Sequence, residues 1–201
     1  MSQLGRGCVL GMRALTRALP APNTGSMAYD ENINDEPVRI VPHNRSWPGQ
    51  FESEKALLEP TIGRWVTGGI HHVGSTAVPR LAAKPVIDIL VGVRDLPFSR
   101  ECIGELAKLG YQYAPYRVDE MHWFCKPDPS HRTHHLHLVP TGSPRYRSEL
   151  AFRDILRVRP DLATEYAELK QRLAAEHRDD RDAYTEAKQD FIARVLAEAK
   201  D

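Results

Sequence analysis

The sequence predicts an α+β fold, with strands and helices mixed through the first two thirds of the chain and helices alone in the last third. Three observations carry this. Val86 to Val93 (VIDILVGV) is a nearly continuous apolar run, which suits a central strand covered on both faces. His134 to Leu138 alternates, so His135 and His137 share one face of a strand and Leu136 and Leu138 the other. From Pro144 onward apolar residues recur at helical spacing. One stripe runs through Leu162, Tyr166, Leu169 and Leu173, another through Tyr184, Ala187, Phe191, Val195 and Ala199.

The remaining elements follow from local signals. Val38 to Val41 reads as a short strand. Pro48 suits a helix start, and Phe51, Lys55, Leu58 and Ile62 carry that helix to about Trp65. Thr67-Gly68-Gly69 breaks it, and Ile70 to Val73 reads as a strand leading into Gly74-Ser75. Ser99 to Leu109 reads as a helix with Ile103, Leu106 and Ala107 inward and Gly110 as its stop. Trp123 to Lys126 and His135 to Val139 are two further strands, separated by a loop with Pro127, Pro129 and Ser130. Asp161, just after Pro160, is expected to cap its helix.

The chain has 201 residues, enough for one domain with a real core, and its formal net charge is zero. A neutral chain argues against holding nucleic acid by bulk electrostatics, but a small nucleotide or phosphate ligand needs only a few local cations. Cys8, Cys102 and Cys125 are scattered and form no CxxC pair, which predicts a reducing, cytoplasmic setting. No apolar run approaches the roughly 18 residues that span a bilayer, so no membrane association is expected. Residues 1–28 hold Arg6, Arg13 and Arg17 and no acid, then a turn-rich stretch from Pro20 to Ser26. That composition reads as a disordered extension or a start assigned too early, with Met27 as the first residue, and less as a transit peptide. Residues 29–201 form the expected domain.

Chemistry concentrates in His71 to Asp88, HHVGSTAVPRLAAKPVID. Gly74 lets the backbone turn sharply and approach a ligand, Ser75 and Thr76 offer hydroxyls, and N–H groups at such a turn can cradle phosphate. Asp88 lies within the apolar strand, on the face of Val86 and Leu90, where a carboxylate must be paired, hydrogen-bonded or metal-bound. Lys84 can supply a cation to that carboxylate or to a phosphate. The plainer alternatives are a polar turn capped by Ser75 and an Asp88 satisfied by backbone N–H groups. His122 to His137 holds five of the nine histidines. His135 and His137, at i and i+2, can bind one metal or grip an anion, the alternative being two half-exposed rings bonded to neighbours. A cationic set comprises Lys126, Arg132, Arg153 and Arg157; Arg153 and Arg157, at i and i+4, can bind phosphates or pair instead with Asp154 and Glu149, and a solvated charged face is the default.

These residues resemble a known family. HHVGSTAVPRLAAKPVIDILV is similar to the signature of the GrpB family, a histidine and a small apolar residue before GSTAVPGLAAKP, then an apolar pair with Asp. WFCKPDPSHRTHHLHLV, FRDILRVRPDLATEYAELK and YTEAKQDFIARVL resemble its later segments, and Trp47 with Phe51 to Glu54 its opening helix. The likeness covers about Val38 to Leu196. The family is placed in the nucleotidyltransferase superfamily, so the resemblance implies a nucleotidyltransferase-like mixed sheet with flanking helices and a C-terminal helical segment. It also implies a phosphate turn at Gly74 and Ser75 and a metal carboxylate at Asp88. In some bacteria the domain is fused to dephospho-coenzyme A kinase, which suggests a protein partner or a role linked to coenzyme A; no GxxxxGK[ST] motif occurs here.

The chain departs from the superfamily pattern. A second carboxylate, expected two residues after Asp88, is replaced by Leu90, as in the GrpB family generally, and a third by His135 or His137. One carboxylate with two imidazoles suits zinc or manganese better than magnesium. Arg80 stands where the family usually has Gly, and His43 where it often has Tyr. Arg80 is expected either to tighten anion binding or to point to solvent. The expected catalytic and metal residues are Asp88, His135 and His137, and the expected ligand-binding residues Gly74, Ser75, Thr76, Lys84 and Arg132. The expected cofactors are a divalent metal (Mg, Mn or Zn), with a nucleoside triphosphate as substrate. Nucleotidyl transfer, a nucleotide- or coenzyme A-related binding module without catalysis, and a metal-dependent hydrolase are the competing readings.

Overall fold

The computed structural model describes residues 36–198, so the expectations for residues 1–28 and for Ala199 lie outside the described residues. Five strands form one mixed sheet: β1 (Val66–Val73), β2 (Ile87–Val93), β3 (Gln112–Ala114), β4 (His122–Pro127) and β5 (Arg132–Pro140). Their order is β1-β2-β5-β4-β3. β2 and β5 run parallel, and the other pairings are antiparallel. The apolar run therefore occupies the inner part of the sheet, as its composition predicts.

One sheet face is fully covered. Ile87, Ile89, Val91, Leu136, Leu138 and Phe124 point into the main core, against Phe51, Leu58 and Ile62 of α1 (Trp47–Ile62). The same core takes Leu106 of α3 (Cys102–Ala107), which follows the short α2 (Leu96–Ser99). Each such aliphatic side chain stabilises the fold by roughly 1.5–3 kcal/mol when fully buried. Buried Glu54 on α1 accepts from Lys126 Nζ of β4 at 2.8 Å, with His134 Nε2 3.9 Å from its other oxygen. This ion pair ties the helix to the sheet.

The opposite face is covered only in part. Val73, Leu90, Trp123, Cys125 and Val139 pack against Tyr146 and Leu150 of α4 (Pro144–Val158). Three more helices follow among the described residues: α5 (Pro160–Glu176), α6 (Arg181–Glu186) and α7 (Gln189–Glu198). Leu162 and Tyr166 of α5 and Phe191 and Val195 of α7 join Leu156, and they bury Val78 and Leu81 from the segment before β2. Part of each predicted helical stripe thus faces the Gly-Ser region, while Leu173 and Tyr184 pack on Val38 and Ala187 is exposed.

Several boundaries differ from expectation. Val38 to Val41 forms no extended strand, contributing a single bridge from Val41 to Ala83. The predicted Ser99–Leu109 helix is the shorter α3, with Ala107 exposed and not inward; α2 lies before that range and is capped by Asp95, whose side chain accepts from Phe98 N. Asp161 is not the cap of α5. Arg159 precedes the helix without a side-chain cap bond, and Asp161 in the first turn pairs with it at 2.6 Å. The predicted break at Thr67–Gly69 belongs to β1, with a register shift between Val66 and Ile70. Glycines make this continuation feasible. A Cβ on Gly92 would sit 2.6 Å from Gly68 Cα and 2.8 Å from Thr141 Oγ1. The Tyr146 hydroxyl donates to the Gly68 carbonyl, which locks α4 onto the bulge.

Gly92→Ala is expected to lower stability by about 1–3 kcal/mol, the usual cost of overpacking a closed site. Urea denaturation of both proteins measures this, and an unchanged midpoint would refute the close-approach argument.

Candidate functional site

β1 ends at Val73, and Gly74 turns the chain with φ 67° and ψ −172°, a conformation essentially confined to glycine. A side chain here would overlap Asp88 Oδ2. The glycine therefore serves two needs at once, the turn and the space for the carboxylate. Ser75–Ala77 form one turn of 3₁₀ helix. Thr76 is buried, and its hydroxyl donates to Val86 O at 3.2 Å. With its proton so placed, it accepts from His72 Nε2 at 3.0 Å, which assigns the His72 tautomer. Burial lowers the His72 pKa to about 4, and its ring stacks on Phe51 at 4.9 Å.

α4 holds the turn from outside. Arg153 donates to His72 O at 3.1 Å and Arg157 to Ala77 O at 3.0 Å. Asp154 pairs with both arginines, at 2.7 and 3.5 Å, as expected. Glu149 pairs instead with Arg145, at 3.0 Å.

The parallel register places Asp88 beside His135 and Leu90 beside His137. Asp88 Oδ1 lies 2.9 Å from His135 Nδ1. Burial works to raise the Asp88 pKa, but the bond to His135 and the charges of His137 and Lys84 outweigh it and hold it at about 2. Burial pushes His135 down to about 4. A neutral imidazole beside a carboxylate donates through Nδ1, which leaves the Nε2 lone pair turned away from Asp88. His137 Nδ1 is 3.5 Å from Glu149 Oε1, an ion-pair distance longer than a hydrogen bond. Burial opposes protonation of His137, but Glu149 and Asp88 win, and its pKa is raised. Arg145 reaches past Glu149 to Glu120 in the β3–β4 connection, at 2.6 Å. Two carboxylate–imidazole pairs thus stand side by side, with ring centroids 6.5 Å apart.

Among the described residues, His135 Nε2 and both ring nitrogens of His137 are buried without a hydrogen-bond partner. One ligating atom each from Asp88, His135 and His137 lies within 4.8 Å of the others. Modest side-chain rotation would bring such atoms to the ~2.0–2.2 Å of a zinc shell. The donor set and its orphaned nitrogens fit a divalent cation.

A cavity of about 480 Å³ opens over this face. Gly74, Ser75, Thr76 and Lys84 line it, as do Asp88, Arg132, His135 and His137. Arg132 is anchored through Nε to Pro129 O at 2.7 Å, with its guanidinium 5.5 Å from the Trp123 ring. Arg80 is exposed and does not line the cavity. Its φ of 66° shows why glycine suits that position. Sequence reasoning missed Arg145, Lys170 and Lys188, which also line the cavity. The lysines had a signal: each follows a stripe tyrosine by four residues, Tyr166 and Tyr184, which puts Lys170 on the inward face of α5, while Lys188 lies in the turn before α7.

A mixed sheet with a carboxylate–imidazole cluster under a glycine turn, roofed by C-terminal helices, defines an α+β domain built around one polar cavity. A family model described as "GrpB protein" matches residues 37–198, and the chain belongs to that family. It is 35% identical over 163 residues to the UPF0157 protein YqkA of Bacillus subtilis, covering 81% of this chain but 47% of that relative, so the chain spans about half its length. It is also 35% identical over 171 residues to the glutamate-rich protein GrpB of Alkalihalophilus pseudofirmus, covering 83% of this chain and 98% of that one. The crystal structure of conserved protein GrpB from Enterococcus faecalis superposes with a TM-score of 0.72 at 34% identity, covering 80% of this chain and 96% of that one.

Two substitutions test the backbone argument in opposite directions. Gly74→Ala is expected to cost about 1–3 kcal/mol, because it forces a glycine-only conformation and displaces Asp88. Arg80→Gly is expected to add up to about 1 kcal/mol by relieving left-handed strain. Thermal melts of both variants check the signs.

Proposed function

We propose that the cavity binds a nucleotide or related phosphate ligand at the Gly74-Ser75 turn, with a divalent ion on Asp88, His135 and His137, for nucleotidyl transfer to an acceptor. The carrying observation is the pair of half-buried imidazoles whose buried Nε2 atoms lack partners beside that turn. Buried polar atoms are costly unless something satisfies them. A bound ion would supply Lewis-acid neutralisation of phosphoryl oxygen charge. With two imidazoles and one carboxylate, the set favours zinc or manganese over magnesium.

The protein's own groups have separate roles in this reading. Ser75 and the backbone N–H groups of the turn hold phosphate oxygens. Asp88 orients His135, whose Nε2 binds the ion or takes a proton from the acceptor. Lys84 and Arg132 offset charge that develops on the transferred group. The membership of the GrpB family in the nucleotidyltransferase superfamily, implied by the sequence resemblance, supports transfer as the reaction class.

One observation favours a second reading. Leu90, where a second metal carboxylate would stand, is fully buried, and Glu149 is engaged by Arg145. A domain that keeps the phosphate turn without a two-carboxylate centre can act as a binding module for a nucleotide or a coenzyme A-related phosphate, alone or with a protein partner.

Thermal unfolding of wild type and Asp88→Ala against nucleotides and coenzyme A precursors, each with Mg²⁺, Mn²⁺ or Zn²⁺, separates the readings. A ligand at 100 times its Kd stabilises by about 2.7 kcal/mol. The transfer reading expects a nucleotide shift that needs metal and disappears in Asp88→Ala. A shift indifferent to both metal and Asp88 supports the binding module, and no shift with any metal rejects a nucleotide ligand.

A further inference from the structure

The strand order spreads the groups that line the cavity across the sheet. The glycine turn follows β1, Asp88 stands on β2, His135 and His137 on β5, Trp123 on β4, and Tyr116 just beyond β3. The phosphate turn and the aromatic pair therefore lie on opposite sides of the carboxylate–imidazole cluster. Tyr116 and Trp123 meet edge to face, with centroids 6.3 Å apart and planes at 68°, and Trp123 lies 5.1 Å from the His135 ring. We infer that the corner between Tyr116 and Trp123 is the acceptor subsite, and that it takes a planar aromatic alcohol or amine whose nucleophilic group points toward His135. This inference rests on the transfer reading and names the class of its second substrate.

Trp123 is buried, whereas Tyr116 keeps 42% of its surface open although it is a large ring at a cavity wall. The Tyr116 hydroxyl accepts from Arg117 Nε at 3.2 Å, which leaves the ring as its main recognition surface. Arg117 makes that bond from a left-handed backbone with φ 47°, a costly conformation for a residue other than glycine and one that clusters at ligand clamps. Guanidinium groups flank both rings, Arg117 at 5.5 Å from the Tyr116 centroid and Arg132 at 5.5 Å from that of Trp123. Two rings at a steep angle accept one flat ring, face against one and edge against the other. The π face of such a ring also suits the guanidinium groups, whereas a saturated group would strip their water and return nothing. A nucleophile carried on that ring comes toward His135 Nε2, a buried atom with no hydrogen-bond partner among the described residues. In the transfer step its oxygen or nitrogen bonds to the α-phosphorus of the nucleoside triphosphate. The α–β anhydride bond breaks, pyrophosphate leaves with the bonding pair, and the acceptor's proton is lost to solvent.

The test titrates the full chain with phenethyl alcohol and with its saturated counterpart, cyclohexylethanol, and follows tryptophan emission and ligand-observed saturation-transfer NMR. Trp47 and Trp65 are buried in the main core, so Trp123 is the tryptophan that reports from the cavity. Wild type is expected to bind the aromatic alcohol about five-fold or more tighter, although the saturated one is the more hydrophobic. Tyr116→Phe should keep that preference and Tyr116→Ala should lose it, with both variants melting as wild type does because the ring is half exposed. A merely structural ring would instead lower the melting temperature of Tyr116→Ala and leave the ratio of the two alcohols unchanged, which would overturn the inference. Each titration is repeated with a saturating nucleoside triphosphate and Mn²⁺. Unchanged or tighter binding of the aromatic alcohol supports a separate acceptor subsite; its displacement assigns the corner to the nucleoside and overturns the acceptor role. Equal affinity for the two alcohols, with nucleotide binding intact, would overturn the inference and leave the phosphate reading standing. Absence of nucleotide binding with any metal would reject the transfer reading, and the acceptor role with it, whatever the alcohols do.

Discussion

The parallel pairing of β2 with β5 sets Asp88 beside His135 at hydrogen-bond distance, and much of the molecule is arranged to tolerate that contact. A carboxylate in an apolar strand would otherwise be an uncompensated charge. Gly74 leaves room for its second oxygen, and the turn at Gly74 directs Ser75 and Thr76 around it. The other sheet face, filled by Ile87, Ile89 and Leu136, holds the register: a slip of one residue would turn those side chains out and the polar set inward. The hydrophobic core is thus what keeps the polar cluster in position.

α4 integrates the site. It packs Tyr146 on the Gly68 bulge and bonds the turn through Arg153 and Arg157. Farther toward its N-terminus it places Glu149 next to His137. Turn, sheet and the Glu149–His137 pair are therefore referred to one helix. α5 and α7 bury Val78 and Leu81, and so Lys170 of α5 and Lys188 just before α7 reach the same cavity.

The sequence made the inner sheet legible because its signals are periodic and strong. Val86 to Val93 and the His/Leu alternation of β5 predicted both the strands and the face on which Asp88, His135 and His137 lie. The weaker elements lacked such signals. β3 is three residues long, with polar Gln112 at its start, and takes its structure from pairing with β4. The Thr67–Gly69 segment carries breaker residues that the strand uses for close approach, a purpose visible only once Gly92 stands opposite. Arg145 and Glu149 look like an ordinary surface pair at i and i+4, since nothing local reveals that Glu149 meets His137. The tyrosine–lysine pairs on α5 and before α7 were readable as lysines interrupting inward stripes, but their convergence depends on how the two segments pack.

The chain of contacts Glu120–Arg145–Glu149–His137 runs from the connection between β3 and β4 to the middle of the sheet. That connection also supplies Tyr116 and Arg117 to the cavity wall. Arg145 divides its guanidinium between an outer carboxylate and an inner one, so the two compete for a single cation. Drawing Glu120 away strengthens the hold of Arg145 on Glu149 and weakens the field that Glu149 exerts on His137. The rim of the cavity and an imidazole at its floor are thus joined by one continuous chain of charged contacts.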